Sequence, residues 1–433
     1  MISHTPFSSF IVIPPVKHFQ GRVRLPGSKS ISNRTLLLSA LAEGETRIHH
    51  LLASDDTRYM CEGLQALGVS VVLSENFSEA TIQGMAGPFR VKEADLFLGN
   101  AGTAMRSLCA ASTLGEGQIR LAGEQRMTER PISDLVDALR IMGASIDYET
   151  TEGYPPLHID AHGLEGGTVS VRGNISSQYL TALLISGPYC RKPLHVILNG
   201  NLISKPYIQL TIEAMKNFGI DVVNKNFEEF FVPKGVYHAP GDFDVEGDAS
   251  SASYLLAGAA IAGGPVRVEG LDKKSAQGDV KFAEVLRRMG ANITTGEGWI
   301  ECSRGTKLKA VDLDLNDIPD AAMTLAVLAL FASGTTTIRN IGSWRVKETD
   351  RIAAVAAELR KVGAHVETDM DNIHITPPEK IQEATIETYN DHRMAMCFSL
   401  VALSGVPVKI LDPSCVRKTY PQFFADFAKL SAK

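Results

Sequence analysis

The chain has 433 residues, 44% hydrophobic and 21% charged, and its 43 Lys and Arg against 49 Asp and Glu give a formal net charge of −6. That length is about three times a usual domain, so two or more cores are expected, and the ordinary composition excludes a disordered, collagen-like or disulfide-scaffold chain. The acidic balance disfavours nucleic acid as a partner, and the 12-residue uncharged apolar run from Ala321 to Ala332 is too short to cross a bilayer.

In chain order, an N-terminal strand (IVIPP) precedes two interleaved patterns. The first is an Ala/Leu/Ser-rich helix that passes through a small-residue turn into a strand. Its copies are TLLLSALAEGETRI, AMRSLCAASTLGEGQIRL, YLTALLISGPYCRKPLHVI, SYLLAGAAIAGGPVRV, MTLAVLALFASGTTTI and AMCFSLVALSGVPVKI. These helices are apolar nearly all round, which predicts burial. The second is an amphipathic helix ended by a glycine cap and followed by an alternating strand: LQALGVSVVL, LRIMGASIDY, MKNFGIDVVN, LRRMGANITT and LRKVGAHVET. Its glycines, Gly68, Gly143, Gly219, Gly290 and Gly363, are spaced by 75, 76, 71 and 73 residues. Both patterns therefore describe six units of about 72 residues. FFADFAKLSAK stands where a truncated sixth capped helix falls, and IVIPP is expected to complete the last unit. Three units per domain, with crossings near residues 27 and 246, is the natural grouping.

The buried helices begin after SKSISNR, GNAGTAMR, NISSQ, GDASSAS, NDIPD and NDHR. Ser, Asn, Asp and Gly suit helix N-caps, but caps do not require Lys29, Arg34, Arg106 and Arg393 beside them. Helix starts with added cations suit phosphate or carboxylate. Arg126, Arg130, Lys205, Lys347, Arg351, Arg417 and Lys418 sit in further polar, loop-like stretches. The expected ligand is small and multiply anionic, bound in a cleft between the domains, with the acid excess outside. No G-x-x-x-x-G-K-[ST], no strand-linked G-x-G-x-x-G and no G-x-S-x-G occurs, so nucleotide, dinucleotide and acyl-hydrolase readings lack support. His158 and His162 are crowded by Pro155, Pro156 and Gly163, so no helix is expected to offer them to a metal. Cys61, Cys109, Cys190, Cys302, Cys397 and Cys415 form no C-x-x-C pair and read as buried, reduced thiols. With a start (MISHTPFSSFIVIPP) lacking signal-peptide features, they predict a cytoplasmic location.

These segments, together and in order, resemble the 5-enolpyruvylshikimate-3-phosphate synthase family (3-phosphoshikimate 1-carboxyvinyltransferases). The series runs through LPGSKSISNR, LGNAGTAMR, RMTERP, SSQYLTALL, SKPY, EGDASSASY, PDAAMT, SWRVKETDR, YNDHRMAM and RKTYP, from residue 25 to 421. The resemblance implies an α/β fold: a two-domain inverse α/β barrel (the enolpyruvyl transferase fold) of six βαβαββ units, three per domain. The domains are expected at 28–246 and at 1–27 plus 247–433, with the active-site cleft between them.

It also implies the substrates phosphoenolpyruvate and shikimate 3-phosphate, with no metal and no organic cofactor. Asp320 is implied as base toward the 5-hydroxyl, with Glu348 and Lys29 as candidates for proton traffic on the enolpyruvyl group. Matching positions for shikimate 3-phosphate are Lys29, Ser30, Arg34, Ser176, Ser177, Gln178, Ser204, Tyr207, Asp320, Ser343 and Lys347. Those for phosphoenolpyruvate are Lys29, Gly102, Arg130, Gln178, Arg351, Arg393 and Lys418. His392 either orders the site or is structural.

Two positions depart from the family pattern: Ser343 stands where many relatives have Asn, and Ser107 where many have Pro. Gly102 is intact, so inhibition by glyphosate is expected, weakened by Ser107. The alternatives are a UDP-N-acetylglucosamine enolpyruvyl transferase, disfavoured by the lack of Cys between Arg120 and Pro131, and a non-catalytic anion-binding protein of the same fold. Monomer is the default expectation.

Overall fold

Residues 9–432 are described by a computed structural model. Twelve α-helices occur among them, and they alternate between two kinds, as the two sequence patterns require. The odd-numbered helices are α1 (Lys29–Leu41), α3 (Gly102–Ser112), α5 (Ser177–Ser186), α7 (Ala249–Ala262), α9 (Pro319–Leu328) and α11 (His392–Phe398). Every residue of α3 and α11 is buried, and the residues of the other four that are not fully buried are Lys29 and Ser30 on α1, Gln178 on α5, Ala262 on α7 and Asp320 on α9. Helices apolar on all sides have no face to give to water, so they form the cores.

The even-numbered helices are α2 (Asp55–Ala66), α4 (Ser133–Ile141), α6 (Lys205–Asn217), α8 (Phe282–Met289), α10 (Arg351–Lys361) and α12 (Phe423–Ser431). These bury one stripe only; α8, for example, buries Phe282, Val285, Leu286 and Met289 at helical spacing. Five end as expected: Gly68, Gly143, Gly219, Gly290 and Gly363 have φ between +86° and +106°, a region costly to any residue with a Cβ. The sixth, α12, packs Phe427 on Phe19 with ring centroids 4.9 Å apart.

The chain divides by contacts into two compact units, Gly27–Glu246 and the remainder up to Pro26 and from Gly247. Each contains three sheets. In the Gly27–Glu246 unit, Arg90–Phe97 runs parallel to Glu116–Ala122, which pairs antiparallel with Leu157–His162, itself antiparallel to Ser145–Tyr148. Gly167–Arg172, Leu194–Asn199, Glu229–Val232 and Val223–Lys225 repeat that order, as do Asp242–Asp244, Glu45–His49, Ala80–Gln83 and Ser70–Leu73. In the other unit the order recurs in Gly21–Arg24, Val266–Glu269, Trp299–Ser303 and Asn292–Gly296, and in Asp312–Asp314, Thr336–Arg339, Ile373–Thr376 and His365–Thr368. The last sheet has three strands, Ala384–Ile386, Val408–Leu411 and the N-terminal Phe10–Ile13, so the chain's beginning does complete the final unit.

This is the two-domain inverse α/β barrel of six βαβαββ units, three per domain. The crossings add a feature without a local sequence signal. Gly21–Arg24, just before the first crossing, supplies the first strand of the unit built around α7. Asp242–Asp244, just before the second, supplies the first strand of the unit built around α1. Each three-repeat ring is thus closed by a strand more than 190 residues distant from its partner.

Candidate active site

In the Gly27–Glu246 unit the helix starts carry the candidate residues. Neither α1 nor α3 has a side-chain cap on its first-turn N–H groups, whereas Ser176 caps α5 by accepting from Gln178 N at 3.2 Å. Lys29, on the first turn of α1, pairs with Asp56 at 3.6 Å. Arg34, one turn on, is 4% exposed. Its Nε donates to Thr211 Oγ1 at 2.9 Å, Nη1 to the Ser30 carbonyl at 2.9 Å, and Nη2 to Thr181 Oγ1 at 3.3 Å and the Tyr207 carbonyl at 3.2 Å. Burial pushes its guanidinium down to about 10, so it stays charged near neutrality. Ser204, at the start of α6, is buried and holds a left-handed backbone (φ 54°, ψ 43°), rare for a non-glycine residue.

A second group gathers around Gly102. Gly102 opens α3, and a Cβ built on it meets Arg130 Nη2 at 2.4 Å. Arg130, 3% exposed, donates from Nη1 to Asn100 Oδ1 at 2.8 Å and to the Asn100 carbonyl at 3.0 Å. Gln178 reaches Thr103 Oγ1 at 3.5 Å, joining the starts of α3 and α5. Arg106 donates to the Arg130 and Pro131 carbonyls at 3.3 and 2.9 Å, and Tyr179 donates to Pro131 O at 2.6 Å. The segment bearing Arg130 is therefore fixed by its own neighbours on α3 and α5.

In the other unit the centre is Arg351, 1% exposed, at the first position of α10. It donates from Nε to Asp391 Oδ2 at 2.8 Å, from Nη1 to Asp320 Oδ1 at 2.9 Å and from Nη2 to Glu348 Oε2 at 2.9 Å. Burial alone lowers its guanidinium; the Asp391, Glu348 and Asp320 carboxylates outweigh burial and raise it well above ordinary arginine. Arg393 donates from Nη2 to Asp320 Oδ2 and from Nη1 to Tyr254 Oη, each at 2.8 Å. Lys418 Nζ lies 3.9 Å from Glu348 Oε1. Trp344, fully buried, donates to Pro319 O at 2.7 Å and so ties the segment with Ser343 and Lys347 to the start of α9.

The cations of this cluster are matched one for one by acid: Asp320, Glu348 and Asp391 stand against Arg351, Arg393 and Lys418. These carboxylates offset the desolvation of the Arg351 and Arg393 guanidinium groups. Sequence reasoning missed Asp391, although NDHR was in view. It has two roles, capping α11 by accepting from Arg393 N at 3.0 Å and holding Arg351. It also missed Asn100, Tyr254 and Asp279. Asp279, 4% exposed, accepts from Ser250 Oγ, and burial followed by the Asp320 charge raises its carboxyl to about 7. His158 and His162 lie on the strand Leu157–His162, with His162 directed at the Asp160 and Gly143 carbonyls.

Each unit thus gathers its candidate side chains at helix starts and the segments that pack against them, the arrangement of an anion-handling enzyme of the enolpyruvyl transferase fold. The EPSP synthase (3-phosphoshikimate 1-carboxyvinyltransferase) family model matches residues 13–427, and the chain belongs to that family. A 3-phosphoshikimate 1-carboxyvinyltransferase from Sulfurovum sp. (strain NBC37-1) is 57% identical over 424 residues, 98% of this chain and 99% of the relative. One from Serratia proteamaculans (strain 568) is 57% identical over 423 residues, 97% and 98% of the two chains. The solved EPSP synthase of Acinetobacter baumannii superposes with a TM-score of 0.80 at 27% identity, over 97% of this chain and 98% of that one.

Proposed function

We infer that the chain transfers the enolpyruvyl group of phosphoenolpyruvate to the 5-hydroxyl of shikimate 3-phosphate and releases phosphate, on the shikimate route to chorismate and the aromatic amino acids. The observation that carries this at the residue level is the environment of Arg130. Its guanidinium is buried, its hydrogen bonds run to the neutral Asn100, and its Nε has no partner. A desolvated cation without a counter-charge is stabilised by an incoming anion, and the missing Cβ of Gly102 is what lets the Arg130 guanidinium lie against the start of α3. Arg34, bonded only to hydroxyls and carbonyls, offers the same to the second anionic substrate.

The reaction protonates the methylene carbon of phosphoenolpyruvate while the 5-hydroxyl oxygen attacks the adjacent carbon. The resulting ketal phosphate then loses the methyl proton as its C–O bond to phosphate breaks. Asp320 accepts the hydroxyl proton; Glu348 and Lys29 handle the proton on carbon; Lys29, Arg130, Arg351, Arg393 and Lys418 receive the phosphate and carboxylate charge. Both Asp320 oxygens are engaged by Arg351 and Arg393. An anion that takes over those donors frees the Asp320 oxygens to meet the 5-hydroxyl proton. Lys29, Ser30, Arg34, Ser176, Ser177, Gln178, Ser204, Tyr207, Ser343 and Lys347 hold shikimate 3-phosphate, and Gly102 and Gln178 complete the phosphoenolpyruvate set.

The proposed setting is a monomer in the cytoplasm, inhibited by glyphosate. All six cysteines are buried and free, in keeping with a reducing compartment, and no helix among the described residues is long and apolar enough to cross a membrane. Phosphate release that requires both phosphoenolpyruvate and shikimate 3-phosphate, with the enol ether product identified by mass, is the expected result. Turnover with UDP-N-acetylglucosamine in place of shikimate 3-phosphate would overturn the reading.

A further inference from the structure

We propose that Glu358 is a positioning residue for the phosphoenolpyruvate-binding half of the site, acting through the segment Glu387–Arg393. The inference rests on the function proposed above. Glu358 is fully buried on α10, two turns after Arg351, and takes no part in the chemistry. Its Oε2 accepts from the Glu387 backbone N–H at 3.1 Å and pairs with Lys361 at 2.7 Å; its Oε1 accepts from Tyr389 Oη at 2.7 Å. Desolvating a carboxylate this completely is unfavourable unless its oxygens are occupied, and here the occupants are the chain entering α11.

That chain has reason to be held. Tyr389 and Asn390 are consecutive non-glycine residues with φ of 54° and 52°, a conformation such residues adopt when their surroundings impose it. The turn they make delivers Asp391 to Arg351 Nε and Arg393 to Asp320 and Tyr254. So α10 grips the same segment twice: with Arg351 through Asp391, and with Glu358 through Glu387 and Tyr389. The second grip fixes the first. Without it the left-handed pair can relax, and the guanidinium of Arg393 no longer has a fixed place relative to that of Arg351. These two belong to the phosphoenolpyruvate set; the shikimate 3-phosphate contacts on α1, α5 and α6 are untouched.

The test uses Glu358→Ala, Glu358→Gln, Tyr389→Phe and Lys361→Met in the full chain, with steady-state phosphate release and amide hydrogen exchange of residues 387–393. For Glu358→Ala the KM for phosphoenolpyruvate is expected to rise about tenfold, with the KM for shikimate 3-phosphate within about twofold of wild type. Glu358→Gln, which keeps an acceptor, should recover most of the loss, and Lys361→Met should leave both KM values unchanged. Exchange in 387–393 should accelerate in Glu358→Ala and Tyr389→Phe. A purely structural Glu358 predicts something else: less active protein, unchanged KM values for that fraction, and no selective exchange. That pattern would overturn the proposal. If Glu358→Ala does not fold, Tyr389→Phe, which removes one hydroxyl, carries the test, and an unchanged KM for phosphoenolpyruvate with unchanged exchange overturns it. Should the wild type release no phosphate, the functional reading fails, and hydrogen exchange still decides the positioning claim.

Discussion

Replacing Gly102 with Ala separates binding from folding. The new Cβ would lie 2.4 Å from Arg130 Nη2, 2.9 Å from Cζ and 3.0 Å from Nη1. The guanidinium must retreat by about 1 Å to reach ordinary contact at 3.4 Å. It is the far end of a flexible side chain, so the backbone of α3 need not move, and Ala is favoured over Gly in a helix by up to about 1 kcal/mol. Stability should therefore change by less than about 1 kcal/mol. The ligand site has no such freedom: Nη1 stays held by two bonds to Asn100 at 2.8 and 3.0 Å, while the displaced Nη2, which makes neither, loses its place on the bound anion. Losing one hydrogen bond to a charged group costs about 1.5–3 kcal/mol, or roughly 10- to 150-fold in affinity. The KM for phosphoenolpyruvate, measured at saturating shikimate 3-phosphate, should rise by that factor while Tm stays within about 4 °C. A wild-type KM for phosphoenolpyruvate, or a collapse in Tm with KM unchanged, would refute the reasoning.

Ser204→Gly relieves a left-handed residue, worth about 1–2 kcal/mol, but adds unfolded-chain entropy of about 0.5–1 kcal/mol, so thermal denaturation should show Tm unchanged or slightly raised. The KM for shikimate 3-phosphate should rise with the lost hydroxyl, and a large fall in Tm would contradict this account. Asp279 keeps its proton in the folded state up to about pH 7, whereas the unfolded chain releases it near 3.8. The folded state thus binds more protons between those values, and stability declines as pH rises through that window. Asp279→Asn should therefore raise Tm more at pH 8 than at pH 4.5, and equal differences at the two pH values would show that Asp279 ionises normally. Ser107→Pro, on the helix that begins at Gly102, should lower the glyphosate inhibition constant; identical constants would remove Ser107 as the cause of weaker inhibition.

Much of this fold was written in local pattern. The six apolar helices and five glycine caps follow from side-chain periodicity and from the φ that only glycine adopts cheaply, and both are properties of short windows. The strands that close each ring are different. Gly21–Arg24 and Asp242–Asp244 are three or four residues long and gain their place from partners far along the chain, so nothing local distinguishes them from loop. The same division holds in the site. Lys29, Arg130, Arg351 and Arg393 stand out as cations beside small polar turns. Asp391 and Glu358 do not, because their importance lies in which buried donors they meet. Ser204, Tyr389 and Asn390 gave no warning of a left-handed backbone, since tertiary contacts impose it. The capping residues also looked alike in sequence, yet Ser176, Asp248 and Asp391 cap their helices while α1 and α3 begin without a side-chain cap.

The central claim, that Asp320 is the base and that its two arginine partners belong to the substrate, is tested most directly by Asp320→Ala. Phosphate release should fall by about 10²- to 10⁴-fold. Equilibrium binding of phosphoenolpyruvate, measured with shikimate 3-phosphate present, should hold or tighten, because Arg351 and Arg393 lose a competing carboxylate. Near-normal turnover, or phosphoenolpyruvate binding that weakens in step with the rate, would contradict it.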